Sequence, residues 1–213
     1  MYNLPYYKEK DISVIIGFMK QYPFAMLIGS AEDQPAATQV PLLVEEKEGK
    51  IILIGHIMRK QDHHNALLQN PNVLVIFTGP HTYVSATLYS NPHQASTWNY
   101  ISVHTRGAIR FLDDRGLETA LRKLTMHFEN NNATSTTIFN NLPEEYRTRL
   151  MKSIIAFEIE VNSVENVFKL SQNRDKESFD HIREHLDTLD SNAKKIALEM
   201  GKRRDMLFNE KSS

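Results

Sequence analysis

The chain has 213 residues, is 41% hydrophobic, carries a formal net charge of −1 and contains no cysteine. That length supports a genuine core in one domain, or one domain with a helical appendage. The missing cysteine excludes disulfides, thiolate metal sites and cysteine nucleophiles. The near-zero charge argues against a dedicated nucleic-acid binder, which usually concentrates basic surface against phosphates.

From Met1 to Lys8 there is no apolar run of signal-peptide length, and nothing later reaches the length of a membrane span. The expectation is a soluble, cytoplasmic protein with no membrane partner. Asp11 to Met19 has apolar residues at helical spacing, with Asp11 or Ser13 as caps and Pro23 as the stop. Phe24–Ser30 and Ala36–Val44 read as two strands of a hairpin around a Glu32-Asp33-Gln34-Pro35 turn. In the second strand Thr38, Val40 and Leu42 share one face, while Gln39 and Pro41 take the other. Pro41 cannot donate to a ladder, so it belongs at an edge, a bulge or a strand end.

Ile51–Ile57 is apolar enough for a central strand, and Met58 to Leu68 opens into a short helix that Asn70-Pro71-Asn72 ends. Val73–Phe77 is a core strand. Thr97–Leu112 reads as one long strand, with Trp98, Tyr100, Ser102, His104 and Arg106 on one face. Asn99, Ile101, Val103, Thr105 and Ile109 take the other, and Gly107 suggests a bulge or bend. Asp113-Asp114 caps an amphipathic helix carrying Leu117, Leu121, Leu124 and Phe128. Pro143 starts another. Ile154–Val161 is a strand and Val167–Leu170 a second. Two helices close the chain. Their basic runs, Lys194-Lys195 and Lys202-Arg203-Arg204, are interspersed with Glu199, Asp205 and Glu210, the pattern of a solvated helix face. Consecutive short strands with helices outside favour a closed or partly closed antiparallel barrel.

The segment from Gly79 to Gly107 concentrates chemistry. It holds the only tryptophan, together with Tyr, His, Thr, Ser and Asn, and almost no carboxylates. Rings beside hydrogen-bonding groups suit a planar polar ligand; a half-buried hairpin with a decorated face has the same composition. No His-Glu-x-x-His, Gly-x-Ser-x-Gly, dinucleotide fingerprint or P-loop is present, so no metal site, serine triad, Rossmann site or P-loop site is expected. What remains is a flat polar ring system with a phosphate, a description flavin mononucleotide (FMN) fits. Arg59 and Lys60, at a strand-to-helix junction, suit the phosphate. Thr38, His56, Tyr83, Ser85, Thr97 and Asn99 offer single hydrogen bonds, and Trp98 or Tyr100 a wall. A capped helix, a packed Trp and a strand Thr explain the same residues singly.

The segments Ala37-Thr38-Gln39-Val40-Pro41-Leu42, Gly55-His56-Ile57, Phe77 to Ser85, Ser96-Thr97-Trp98-Asn99-Tyr100 and Phe168 to Arg174 carry a resemblance. In order and spacing, with Met1-Tyr2 and Pro5-Tyr6-Tyr7, the chain resembles the PaiB-like FMN-binding negative transcriptional regulators. These belong to the split-barrel flavoproteins that include pyridoxamine-phosphate oxidase. The resemblance implies an α+β, mainly β fold, an antiparallel split barrel over 1–170 with a helical extension over 171–213. It also implies a homodimer with FMN between subunits, and adds Gln39, Val40, Pro41, Gln172 and Arg174 to the cofactor-binding residues. The chain departs from the family pattern at Gln39, at Met58 to His64 around the retained Arg59, and at Ala86 to Leu88. A flavin-dependent oxidoreductase is the first functional expectation. A flavin-binding regulator without turnover is the alternative, and a haem-binding or haem-degrading relative a third. DNA binding is argued for by neither charge nor motif.

Overall fold

The computed structural model describes residues 2–31 and 34–208. Glu32 and Asp33 of the anticipated turn, Met1 and Glu210 lie outside these. Seven strands form one antiparallel sheet: β1 (Phe24–Ala31), β2 (Gln34–Pro41), β3 (Leu43–Lys47), β4 (Lys50–Met58), β5 (Asn72–Val84), β6 (Thr97–Phe111) and β7 (Ile154–Lys169). The order across the sheet is β2-β1-β5-β6-β7-β4-β3. Among the described residues six α-helices accompany it: α1 (Ile12–Gln21), α2 (Asp62–Gln69), α3 (Asp114–Phe128), α4 (Glu144–Ser153), α5 (Lys176–Leu186) and α6 (Ser191–Phe208). No helix among the described residues is long and apolar enough to cross a membrane. The chain forms two compact units: Met1–Ile15, Thr78–Val103 and Asn166–Ser213 make the first, and Ile16–Phe77 and His104–Glu165 the second.

In the second unit, β1 and β2 pair from Phe24↔Pro41 to Ala31↔Gln34, and β4 pairs with both β3 and β7. The two edges of the sheet, β2 and β3, follow one another in the chain with only Leu42 between them. The sheet therefore curls until its edges meet at one residue, without a ladder joining them. That is a split barrel, as the sequence implies. Pro41 sits at the corner, where a residue without an N–H costs nothing. Leu42 is buried, and its N–H donates to Pro23 O at 2.9 Å. Across the seam, a Cβ on Gly55 would meet Leu42 Cδ2 at 2.8 Å and Phe157 Cζ at 2.7 Å, so a side chain there would force both to shift. α3 lays Leu117, Ala120 and Leu121 on Ile54, Ile154 and Ala156, with Phe139 completing the cluster. Each such large side chain removed from water stabilises by about 1.5–3 kcal/mol.

Gly107 is not a bulge. Burial alternates straight through it, and a Cβ there would lie 2.2 Å from Glu160 O, so the glycine admits the neighbouring backbone. Two further differences concern strand length. β5 runs on through Gly79-Pro80, and β7 is one strand rather than two, carried across the polar, exposed Asn162-Ser163 between its apolar ends.

In the first unit, α5 and α6 pack through buried Phe179, Ile182, Leu186, Ala193, Ile196 and Met200. Lys194, Lys195 and Lys202 of α6 are exposed, as a solvated face requires, but Arg203 and Arg204 turn to partners. Arg203 is sequestered, with Nη2 2.8 Å from Glu9 and Nη1 2.7 Å from Glu199. Arg204 holds Asp180 through two contacts of 2.6 Å. Glu9 N donates to Asn166 Oδ1 at 2.8 Å while Asn166 Nδ2 returns a bond to Glu9 O at 3.0 Å, fixing the N-terminal segment to the end of β7.

Candidate functional site

The expected site residues divide between the units: Tyr83, Ser85, Thr97, Trp98, Asn99, Gln172 and Arg174 lie in the first, and Thr38 to Pro41, His56, Arg59 and Lys60 in the second.

In the first unit β6 sorts its side chains by alternation. Trp98 faces out, half exposed at 52%, whereas Asn99 is fully buried. Trp98 sits with Tyr83, itself 52% exposed, at a ring separation of 6.2 Å, and with His81 at 5.6 Å. These three rings form an exposed aromatic surface, a costly arrangement unless something flat covers it. Asn99 is spent inward, where its amide and the Ser171 hydroxyl exchange bonds of 3.0 and 3.1 Å. Ser171 takes a positive φ of 63°. Gln172 braces that bend: its Oε1 accepts from Leu170 N at 2.7 Å and its Nε2 donates to Phe168 O. Ser85 caps the 3-10 turn Ala86–Leu88 by accepting from Thr87 N. Arg174 lies over the Tyr89 ring, 3.9 Å from its centroid, and donates to Gln94 Oε1.

Lys169 was not among the expected site residues. Its ammonium donates to Thr97 Oγ1 and, at 2.8 Å, to Trp98 O, and it stands 5.4 Å from the Tyr2 ring centroid. It is buried at 8% exposure, and that burial, followed by the charge of Arg174, pulls its pKa down. The sequence signal was a lysine between Phe168 and Leu170 in an apolar strand end. Nearby, burial pushes the Tyr7 phenol up to about 12, with Tyr6 adding to the effect. Its hydroxyl donates to Asn173 Oδ1 at 3.2 Å.

In the second unit Thr38 and Pro41 are half-buried, Gln39 is exposed and Val40 is buried on β2. His56 lies on β4 opposite Ala156. Its Nδ1 is buried with no partner among the described residues, and burial lowers its pKa. Arg59 follows β4. Its Nε donates to Ile154 O at 2.7 Å and its Nη2 is 3.5 Å from Asp114. Lys60 is held at φ 61° by its own N–H, which donates to His64 Nδ1 at 3.0 Å. Lys60 is exposed and makes no ion pair among the described residues, so its ammonium stands free at the start of α2. His64 is buried with Nε2 unpartnered; burial, then Arg59, then His63 lower its pKa. No group of three or more His, Cys, Asp or Glu among the described residues is arranged to hold a metal ion.

Taken unit by unit, these features fit a flavin nucleotide. One unit supplies an exposed aromatic surface. The other supplies a partnerless buried imidazole nitrogen and a basic pair ahead of a helix, a donor set suited to a polar heterocycle and a phosphate.

Residues 1–163 match the family model described as "Putative FMN-binding domain". A curated relative, "Protease synthase and sporulation protein PAI 2" of Bacillus subtilis, is 28% identical over 198 residues, covering 92% of this chain and 95% of its own. Among solved structures, the FAD and heme binding protein from Mycobacterium smegmatis superposes with a TM-score of 0.58 at 16% identity, over 76% of this chain and 72% of that one. The flavocytochrome Anf3 from Azotobacter vinelandii gives 0.56 at 12% identity, over 75% and 68% respectively. At these identities the two structures speak to the fold alone. The chain belongs to the FMN-binding domain family whose model spans its first 163 residues, with FMN as its cofactor.

Proposed function

We propose that this protein is a flavin-dependent oxidoreductase, assembled as a cytoplasmic homodimer that holds FMN between its subunits. The observation that carries the reading is the exposed Trp98–Tyr83–His81 surface in a chain of an FMN-binding family. Such a surface gives the isoalloxazine ring a wall. Thr38 to Pro41 on β2, His56 on β4, and Ser85, Thr97, Asn99, Gln172 and Arg174 are the further proposed cofactor residues. Some would act by contact. Asn99 and Gln172 would act by holding the bend that carries Arg174. Arg59 and Lys60 would receive the phosphate, with the backbone of Lys60 already fixed at φ 61°. Residues 1–170 would form the cofactor-binding barrel and 171–213 a helical extension on it.

Bound FMN supplies one- and two-electron transfer, and the protein's part is to bind, orient and shield it. His56, His81 and His104 are the candidates to handle a proton in that setting. Binding is testable through the single tryptophan. FMN should quench Trp98 fluorescence, and Arg59→Gln with Lys60→Gln should weaken FMN roughly tenfold or more while leaving riboflavin nearly unchanged. Equal losses for both flavins would remove the phosphate role from this pair. Turnover is tested by oxidation of a reduced nicotinamide in the presence of an acceptor.

A regulatory role is the second reading, supported by the 28% identical relative named for protease synthesis and sporulation. It requires sequence-selective gel shifts that survive physiological salt, since purely electrostatic binding collapses there.

A further inference from the structure

Residues 97–99, at the start of β6, are pinned by residues 169–171, at the end of β7 and just beyond it. The Lys169 ammonium donates to Thr97 Oγ1 and, at 2.8 Å, to the backbone oxygen of Trp98. Asn99 and Ser171 exchange their two bonds of 3.0 and 3.1 Å. Trp98 is therefore held at its own carbonyl and through the residue on either side. None of these bonds touches its ring. The half-exposed indole meets Tyr83 with the ring planes 69° apart and His81 with the planes 46° apart, so neither neighbour stacks flat on it. The backbone is fixed and a broad face of the ring is left open.

A lysine is a costly brace between two strands. Lys169 stands between the buried Phe168 and Leu170 and is itself buried. Desolvating an ammonium is unfavourable, and an apolar side chain there would extend the packing of its neighbours without that penalty. What offsets the penalty is the pair of bonds to Thr97 and Trp98, with the Tyr2 ring 5.4 Å away on a further side. Lys169 also lies beyond residues 1–163, the span that matches the family model. We propose that Lys169 is a positioning residue for the flavin. It fixes the backbone at Trp98, so that the indole stands as a ready wall before the cofactor arrives. Part of the ordering that binding requires is then complete in the free protein, which tightens the complex. That Lys169 holds Trp98 rests on these bonds alone; that Trp98 serves a flavin rests on the function proposed above.

Trp98 is the only tryptophan, so time-resolved fluorescence anisotropy of the full chain reads its motion without labelling. In flavin-free protein, Lys169→Met should enlarge the fast, local part of the decay relative to wild type. Its Kd for FMN should rise roughly tenfold, and its Kd for riboflavin by the same factor, because the change acts on the ring and not on the phosphate. Lys169→Gln, one atom shorter and uncharged, should move all three readings in the same direction, and it carries the test where the methionine variant folds poorly. Arg204→Met is the control. It breaks the two 2.6 Å contacts to Asp180 between α5 and α6 of the same unit, and should lower the unfolding temperature while leaving the anisotropy and both Kd values as in wild type. If Trp98 moves no more in the Lys169 variants than in wild type or in the control, Lys169 does not position it. If the motion grows but both flavins bind as they do to wild type, the positioning does not serve the flavin. If FMN alone is weakened, Lys169 meets the phosphate instead. Each of these results overturns the proposal. Wild-type protein that binds neither flavin defeats the function proposed above, and the flavin-free anisotropy still decides whether Lys169 holds Trp98.

Discussion

His64 shows how one side chain fixes the loop at Lys60. Its Nδ1 accepts from Lys60 N, which requires a neutral ring, and its Nε2 is buried without a partner. Burial is the main cause lowering its pKa from 6.5, followed by Arg59 and His63; the Phe111 ring packs edge-on at 4.9 Å. The unfolded chain therefore takes up a proton that the folded chain refuses. Stability from this group is fully present above pH 6.5 and is lost as pH falls toward its lowered folded value. Urea unfolding between about pH 7.5 and 5.5 should show stability falling with pH. His64→Ala should cost about 1–3 kcal/mol at the upper pH and flatten the slope. His56, lowered by burial as well, should keep part of the slope. At this scale the sequence was legible by alternation and opaque by burial. The period of two along β6 separates Trp98 from Asn99, but it does not reveal that Asn99 is spent on Ser171. Nor does a lysine code announce an ammonium held inside by Thr97 and a carbonyl.

At the scale of elements, caps and corners decide where segments begin. Asp175 is the N-cap of α5, accepting from Ser178 N. Its bonds from the Ser178 backbone, then the Ser178 hydroxyl, hold its pKa down to about 2, with Ser90 adding a smaller share. Its contribution is thus present above 3.8 and is lost as pH falls through about 2. Asp175→Ala should cost about 1 kcal/mol at neutral pH by thermal unfolding, a loss that shrinks in acid. The helices were readable where their starts are local: Asp113 before α3 and Pro143 before α4 declare themselves. Strand lengths were less so. The middle of β7 is polar because it is solvent-facing, and β5 carries Gly79-Pro80, residues that punctuate most sequences, through a continuous ladder. Tertiary pairing overrides both local signals.

At the scale of the whole molecule, the fold follows from a sheet whose two edges are joined by Leu42 alone, with Gly55 keeping the seam free of a side chain. A closed or partly closed barrel was legible from the run of consecutive short strands, and the place of Pro41 at a strand end from its missing N–H. The division of the proposed cofactor residues between two units was not, because β5, β6 and β7 each pass from one unit to the other. The central claim is that this chain carries FMN. The most direct measurement is the visible absorption spectrum of the purified protein, before and after incubation with FMN and removal of the excess. The account predicts a yellow protein with the two bands of oxidised flavin, approaching one FMN per chain after loading. A colourless protein that retains no FMN would contradict it.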